Sequence, residues 1–108
     1  MQSSRISRPR RFILRCAAEL SYELPVGEHR LPCTVQNINE FGVFVLCDQP
    51  LSIGQVVTLQ CQLGPRLPFC ATIKIRHFKN GYLGARILEV DAESQKNLAE
   101  RLGHFSLA

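Results

Sequence analysis

No apolar run in the chain approaches the roughly 18 residues that a membrane helix needs, so no spanning helix is expected. No apolar segment precedes Phe12, so the N-terminus lacks the core of a secretory signal. No Cys-x-x-Cys occurs among the cysteines at 16, 33, 47, 61 and 70, and the three histidines (His29, His77, His104) lie far apart. Zinc sites usually show two close ligand pairs, so no metal centre is expected. Cys33, Cys61 and Cys70 fall inside strand-like runs, where cysteine acts as a small apolar residue. Their expected state is the unbridged thiol, which fits the cytoplasm. No acid–base pair or nucleophile motif stands out, so neither an enzyme nor a cofactor is expected. Internal repeats and low-complexity segments are also missing.

Acidic residues are missing from one place in particular. The first fifteen residues hold five arginines (Arg5, Arg8, Arg10, Arg11, Arg15), no lysine and no acid. The other residues carry eight bases against nine acids, so the formal charge of +4 belongs to the N-terminal end. Arginine presents a planar fork that fits two phosphate oxygens at once and stacks on flat rings. Residues 1–10 read as a flexible basic arm that a partner would order, and 11–108 as one domain.

That domain reads as β. Leu20, Tyr22 and Leu24 alternate with Ser21 and Glu23, giving a strand over 17–24. Leu31, Cys33 and Val35 repeat the pattern, and Val43–Cys47 is a continuous run of strand formers. Val57, Leu59, Cys61 and Leu63 alternate with Thr58, Gln60 and Gln62, the clearest period of two in the chain. Phe69–Arg76 and Tyr82–Val90 follow as two strands joined by Lys79-Asn80-Gly81, whose Asn-Gly accepts the positive φ of a tight turn. Asp91 is placed to cap a helix over 92–102 that stops at Gly103. Six closely spaced strands in so short a chain hide their edges best by closing into an antiparallel barrel, with the helix covering an end or side.

Two polar motifs interrupt this pattern. One is Arg11-x-x-x-Arg15 with Arg10 beside it, and the other is the turn Asn37-x-Asn39-x-x-Gly42. The turn alone reads as an Asx-rich connection in which Gly42 allows a positive φ. With the strand Gly81–Val90 and the helix after it, the two motifs resemble the PilZ family, the bacterial receptors of cyclic di-GMP. That family carries Arg-x-x-x-Arg in an N-terminal loop, then Asp/Asn-x-Ser-x-x-Gly between its second and third strands. Arg11 and Arg15 match the arginines, Arg10 a basic residue often found before them, Asn37 the Asp/Asn position and Gly42 the glycine. Asn39 departs from the usual Ser. The Leu83-Gly84-Ala85-Arg86-Ile87 run looks like the family's last strand.

The resemblance implies a six-stranded Greek-key-like β-barrel with a C-terminal helix. It also implies a cytoplasmic receptor that binds cyclic di-GMP through Arg10, Arg11, Arg15, Asn37, Asn39 and Gly42. The ligand would order the arm and change the surface shown to a protein partner, in pathways such as motility or biofilm formation. The alternative is a PilZ-like adaptor that no longer binds the dinucleotide and works by protein contacts, as in type IV pilus assembly. Retention of both Arg11 and Arg15 favours the receptor. Binding of a nucleic-acid polymer is disfavoured, because no basic stripe with interleaved aromatics runs along the strands.

Overall fold

The computed structural model describes residues 12–103. Arg10, Arg11 and the arm assigned to 1–10 lie outside the described residues. The strands are β1 (Phe12–Leu24), β2 (Gly27–Ile38), β3 (Gly42–Leu46), β4 (Val56–Gln62), β5 (Pro68–Lys79) and β6 (Tyr82–Val90), followed by helix α1 (Ala92–Gly103). They close into a barrel in the order β1-β2-β3-β6-β5-β4, with every pair antiparallel. The mainly β barrel with one C-terminal helix expected from the periodicity is therefore present.

The period-two positions explain the core. Leu31, Cys33 and Val35 of β2, Val57 and Leu59 of β4, and Phe69, Ala71, Ile73 and Ile75 of β5 all point inward and are buried. Each large one contributes about 1.5–3 kcal/mol of transfer free energy. The Val43–Cys47 run is less uniform than its composition suggests. Val43 and Val45 are buried, whereas Phe44 and Leu46 face outward and are half-buried. On the outer face Phe44 stacks on Tyr82, with ring centroids 5.3 Å apart and planes 4° from parallel.

Two boundaries differ from the sequence reading. β1 begins at Phe12 rather than near residue 17, so Arg15 lies inside a strand and not in a loop. The β5–β6 hairpin is also longer, because β5 runs on to Lys79. Its turn has φ of 53° at Asn80 and 82° at Gly81, the two positive values that a two-residue hairpin turn needs.

Helix α1 docks where the sheet leaves an edge uncovered. Pairing of β5 with β6 begins at Ala71, so Pro68–Cys70 has no β6 neighbour. The helix supplies side chains there. Ser94 Oγ accepts from the Cys70 amide at 2.9 Å, and Asn97 Nδ2 donates to the Pro68 carbonyl at 2.7 Å. Further along, Arg101 Nε donates to the Leu63 carbonyl at 2.8 Å. The expected cap is in place, with Asp91 Oδ1 accepting from the Ser94 amide at 2.7 Å. Asp91→Ala is expected to lower stability by about 1 kcal/mol, read as a lower urea midpoint at unchanged slope.

Candidate functional site

Strand pairing brings the two sequence motifs together. Phe12 pairs with Ile38 and Ile13 with Asn37, so the start of β1 lies beside the Asn37–Gly42 turn. The next aligned pair is Cys16 with Val35, which leaves Leu14 and Arg15 opposite the single residue Gln36. That is a β-bulge, and it re-aims the residues that carry it. A second irregularity falls on the other edge of β2, between Val35 and Asn37, where Gln36 is the extra residue against β3. Bulges increase local twist, and both of these lie beside Asn37.

Arg15 sits in the first bulge with φ of 49°, a left-handed conformation for a residue that has a Cβ. Holding it there costs about 1–2 kcal/mol. Its side chain is exposed. Among the described residues, the ion pairs that form are those of Arg30, with Glu19 at 3.0 Å and with Glu28 at 3.1 Å. They lie on the β1–β2 wall toward the hairpin turn, so Arg15 has no ion pair among the described residues.

The turn is locked from within. Asn39 is buried, and its Oδ1 accepts from the amides of Phe41 at 2.8 Å and Gly42 at 2.9 Å. The Asn39 amide donates to the Gly42 carbonyl at 3.0 Å. The Phe41 carbonyl accepts from the Ile87 amide at 2.8 Å, which ties the turn to β6. Asn39 is thus directed into the turn, where its carbonyl oxygen shapes the backbone. Gly42 is a buried strand residue, the first of β3. The positive-φ glycines are Gly27, Gly54 and Gly81, so the positive φ expected of Gly42 is not found.

Cross-strand partners share a face, so the registers define the surface around Asn37. Ile13, Asn37, Phe44, Gly84 and His77 form one outward row across five strands. At Gly84 the wall has no side chain, and the His77 ring lies over it; a Cβ there would meet His77 Cδ2 at 2.9 Å. Gly42, Arg86 and Lys74 form the next row. Arg86 and Lys74 are both exposed, which adds positive charge beside the turn. The sequence motifs missed Arg86, Phe44 and His77 as neighbours of the site. The signal for Phe44 was its outward parity in β3, but Arg86 and His77 need the strand order.

This arrangement suits a ligand that is anionic and flat. The bulged guanidinium can hold phosphate oxygens or lie on a ring, while Asn37 of β2 sits between the apolar Ile13 and Phe44 on the same face. Comparison with known proteins agrees with it. The PilZ domain model matches residues 8–103.

The chain belongs to the PilZ family.

That match covers both polar motifs and every strand of the PilZ barrel described above. No curated protein matches the chain. Among the described residues, no helix is long and apolar enough to cross a membrane, and no group of His, Cys, Asp and Glu could hold a metal ion. The five cysteines of this PilZ chain are unbridged.

The cysteines carry a pH consequence. Burial first, and the neighbouring thiols after it, push Cys33 up to about 12 from an ordinary 9.0. Between those values the folded chain keeps a proton that the unfolded chain has lost. The stability contributed by Cys33 is therefore complete below pH 9.0 and is lost as pH rises towards 12. Urea midpoints should fall across that window, and Cys33→Ala should flatten the fall.

Proposed function

We propose that this chain is a cytoplasmic receptor for cyclic di-GMP that signals to a protein partner and has no catalytic activity of its own. The observation that carries the reading is the bulge that holds Arg15, exposed and left-handed, beside the Asn37–Gly42 turn in a chain of the PilZ family. Backbone strain at an exposed arginine points to use of that arginine.

The residues divide the work by chemistry. Cyclic di-GMP offers two phosphodiesters and two guanines. Arg15 and Arg11, with Arg10 beside them, supply forks for phosphate oxygens and for the O6/N7 edge of guanine. Asn37 has an amide carbonyl for the guanine N1 and N2 donors. Asn39 positions the turn through the two amides it holds, and Gly42 places the strand that follows. Arg10 and Arg11 precede β1 directly, so a ligand clamped by them and by Arg15 draws the chain before Phe12 onto the barrel. The face presented to a partner changes with it.

Calorimetric titration with cyclic di-GMP, beside a single-stranded oligonucleotide of the same charge, tests this. Saturable binding of the dinucleotide and none of the oligonucleotide is the expected result. Binding of neither would leave the adaptor reading, and binding of the oligonucleotide alone would replace both.

A further inference from the structure

A second cluster of reactive side chains lies away from the ligand face. Ala18 pairs with Cys33 on one side and with Cys61 on the other, so these three share one face of the barrel wall. Cys16 is two residues from Ala18 on the same face, diagonal to Cys61 across the β1–β4 seam. The register therefore places the Cys16 and Cys61 side chains at neighbouring positions of that face. Both are half-buried and packed against the core, and both line an open cleft of about 810 Å³ between β1, the end of β4 and the start of α1. The β1–β4 ladder runs only from Ser21 to Ala18, so Cys16 lies beyond its end and is paired on the β2 side alone.

The other thiols are differently placed. Cys33 is buried, and Cys47 is buried and donates to the Gln49 carbonyl at 3.4 Å. Cys70 also lines the cleft, but on the opposite side of β5 from Phe69, and it accepts from Gln60 Nε2 at 3.9 Å. Within the pair the two sulfurs are unequal. The neighbouring Cys61 thiol, helped by the charge of Arg101, lowers the Cys16 thiol against the opposing effect of burial. The neighbouring Cys16 thiol, with burial, pushes Cys61 up.

We propose that Cys16 and Cys61 form an oxidisable dithiol in which Cys16 is the attacking thiolate, Cys61 the resolving thiol, and a hydroperoxide the oxidant. The Cys16 sulfur attacks the distal peroxide oxygen. The O–O bond breaks, an alkoxide or hydroxide leaves and takes up the proton that Cys16 released on ionising, and Cys16 becomes a sulfenic acid. The Cys61 sulfur then attacks the Cys16 sulfur, and the hydroxyl leaves as water with the proton that Cys61 gives up. Two thiols are oxidised by one electron each, and the peroxide is reduced by two. Glu19, Asp91 and Glu93 line the cleft, so a neutral peroxide enters more readily than an anionic disulfide such as that of glutathione.

The disulfide would act on the ligand site through the backbone, a step that rests on the receptor reading above. Diagonal neighbours in a sheet have Cα atoms about 7–8 Å apart, whereas a disulfide holds them at about 4.4–6.8 Å. Closing the bond pulls β1 towards β4 at Cys16. Arg15 is the next residue and sits in the bulge, so it is re-aimed.

The test treats the reduced full-length chain with hydrogen peroxide. The expected product is a monomer lighter by two hydrogens, with Cys16 and Cys61 in one linked peptide and three of the five thiols still titratable. Cys61→Ser should stop at a trappable sulfenic acid on Cys16. Amide exchange around Ile13–Cys16 should differ between the reduced and oxidised forms. Affinity for cyclic di-GMP should fall about tenfold on oxidation and return with dithiothreitol, a coupling in the ordinary allosteric range. Oxidation elsewhere, or a disulfide between chains, overturns the pairing. A 16–61 disulfide with unchanged exchange overturns the coupling. If the reduced chain does not bind the dinucleotide at all, the receptor reading fails, while mass, mapping and exchange still decide the dithiol.

Discussion

Arg15→Ala is expected to weaken cyclic di-GMP binding by roughly 10–150-fold, because a lost charge-assisted contact is worth about 1.5–3 kcal/mol and each 1.4 kcal/mol is tenfold. Arg15→Gly separates binding from folding. The residue has φ of 49°, a conformation that glycine adopts without strain. Arg15→Gly should therefore lose affinity as fully as alanine while raising the urea midpoint above wild type. Arg15→Lys keeps the charge but not the fork, and its affinity should fall between the two extremes. Arg11→Ala should lower affinity like Arg15→Ala with no change in stability. Unchanged affinity in both alanine variants would remove the arginine pair from the site.

Asn39→Ala is expected to cost about 2–3 kcal/mol of stability. It strips the acceptor from two amides, and a buried donor left without a partner costs about 1–3 kcal/mol. The Gly42 amide is the buried one, and the Phe41 amide is only partly covered. Affinity should fall as well, because the turn beside Asn37 loses its shape. Asn39→Asp keeps an oxygen in the same place and should stay close to wild type in stability. By family pattern alone, Asn39→Ser looks neutral or favourable for binding, since Ser is the usual residue there. The turn geometry adds a separate cost to stability. A serine hydroxyl reaches less far and takes over one of the two amides at best, so Asn39→Ser should be destabilised by about 1 kcal/mol. A denaturation series on Ala, Ser and Asp at this position decides it, and equal midpoints across the series would show that the side chain does not hold the turn.

Much of the barrel was legible because its strands obey one rule. Every buried position of β4 and β5 up to Ile75 could be marked from alternation alone, and Asn80-Gly81 and Asp91 announce their roles by residue type. The start of β1 was not legible. Phe12-Ile13-Leu14 has no alternation, and the arginines around it give the composition of a tail; β2 nonetheless supplies a partner strand for these residues. The bulges were hidden for a related reason. Nothing at Leu14, Arg15 or Gln36 marks an extra residue, because the irregularity exists only relative to the neighbouring strand. The candidate site was half legible. Its arginines pointed to phosphate and flat rings and the family resemblance to guanine, but Asn39 turned inward and Arg86 lies nearby from another strand. The diagonal placement of Cys16 and Cys61 required barrel closure, which no local pattern reports.

The short β1–β4 seam also bears on how the chain folds. Four aligned pairs, from Ala18–Cys61 to Ser21–Thr58, are all that close the barrel. Each joins the first strand to the fourth, across a loop made of β2, β3 and their connections. The hairpins β1–β2 and β5–β6 are local and can form within about 1–10 μs. Closure must wait until both exist, since the entropy of so large a loop is lost before four pairs repay it. A barrel ruled by such non-local pairing is expected to fold in milliseconds to seconds. Amides of Ala18–Ser21 should be the last in the core to gain protection during refolding, and their protection should mark the arrival of the native state.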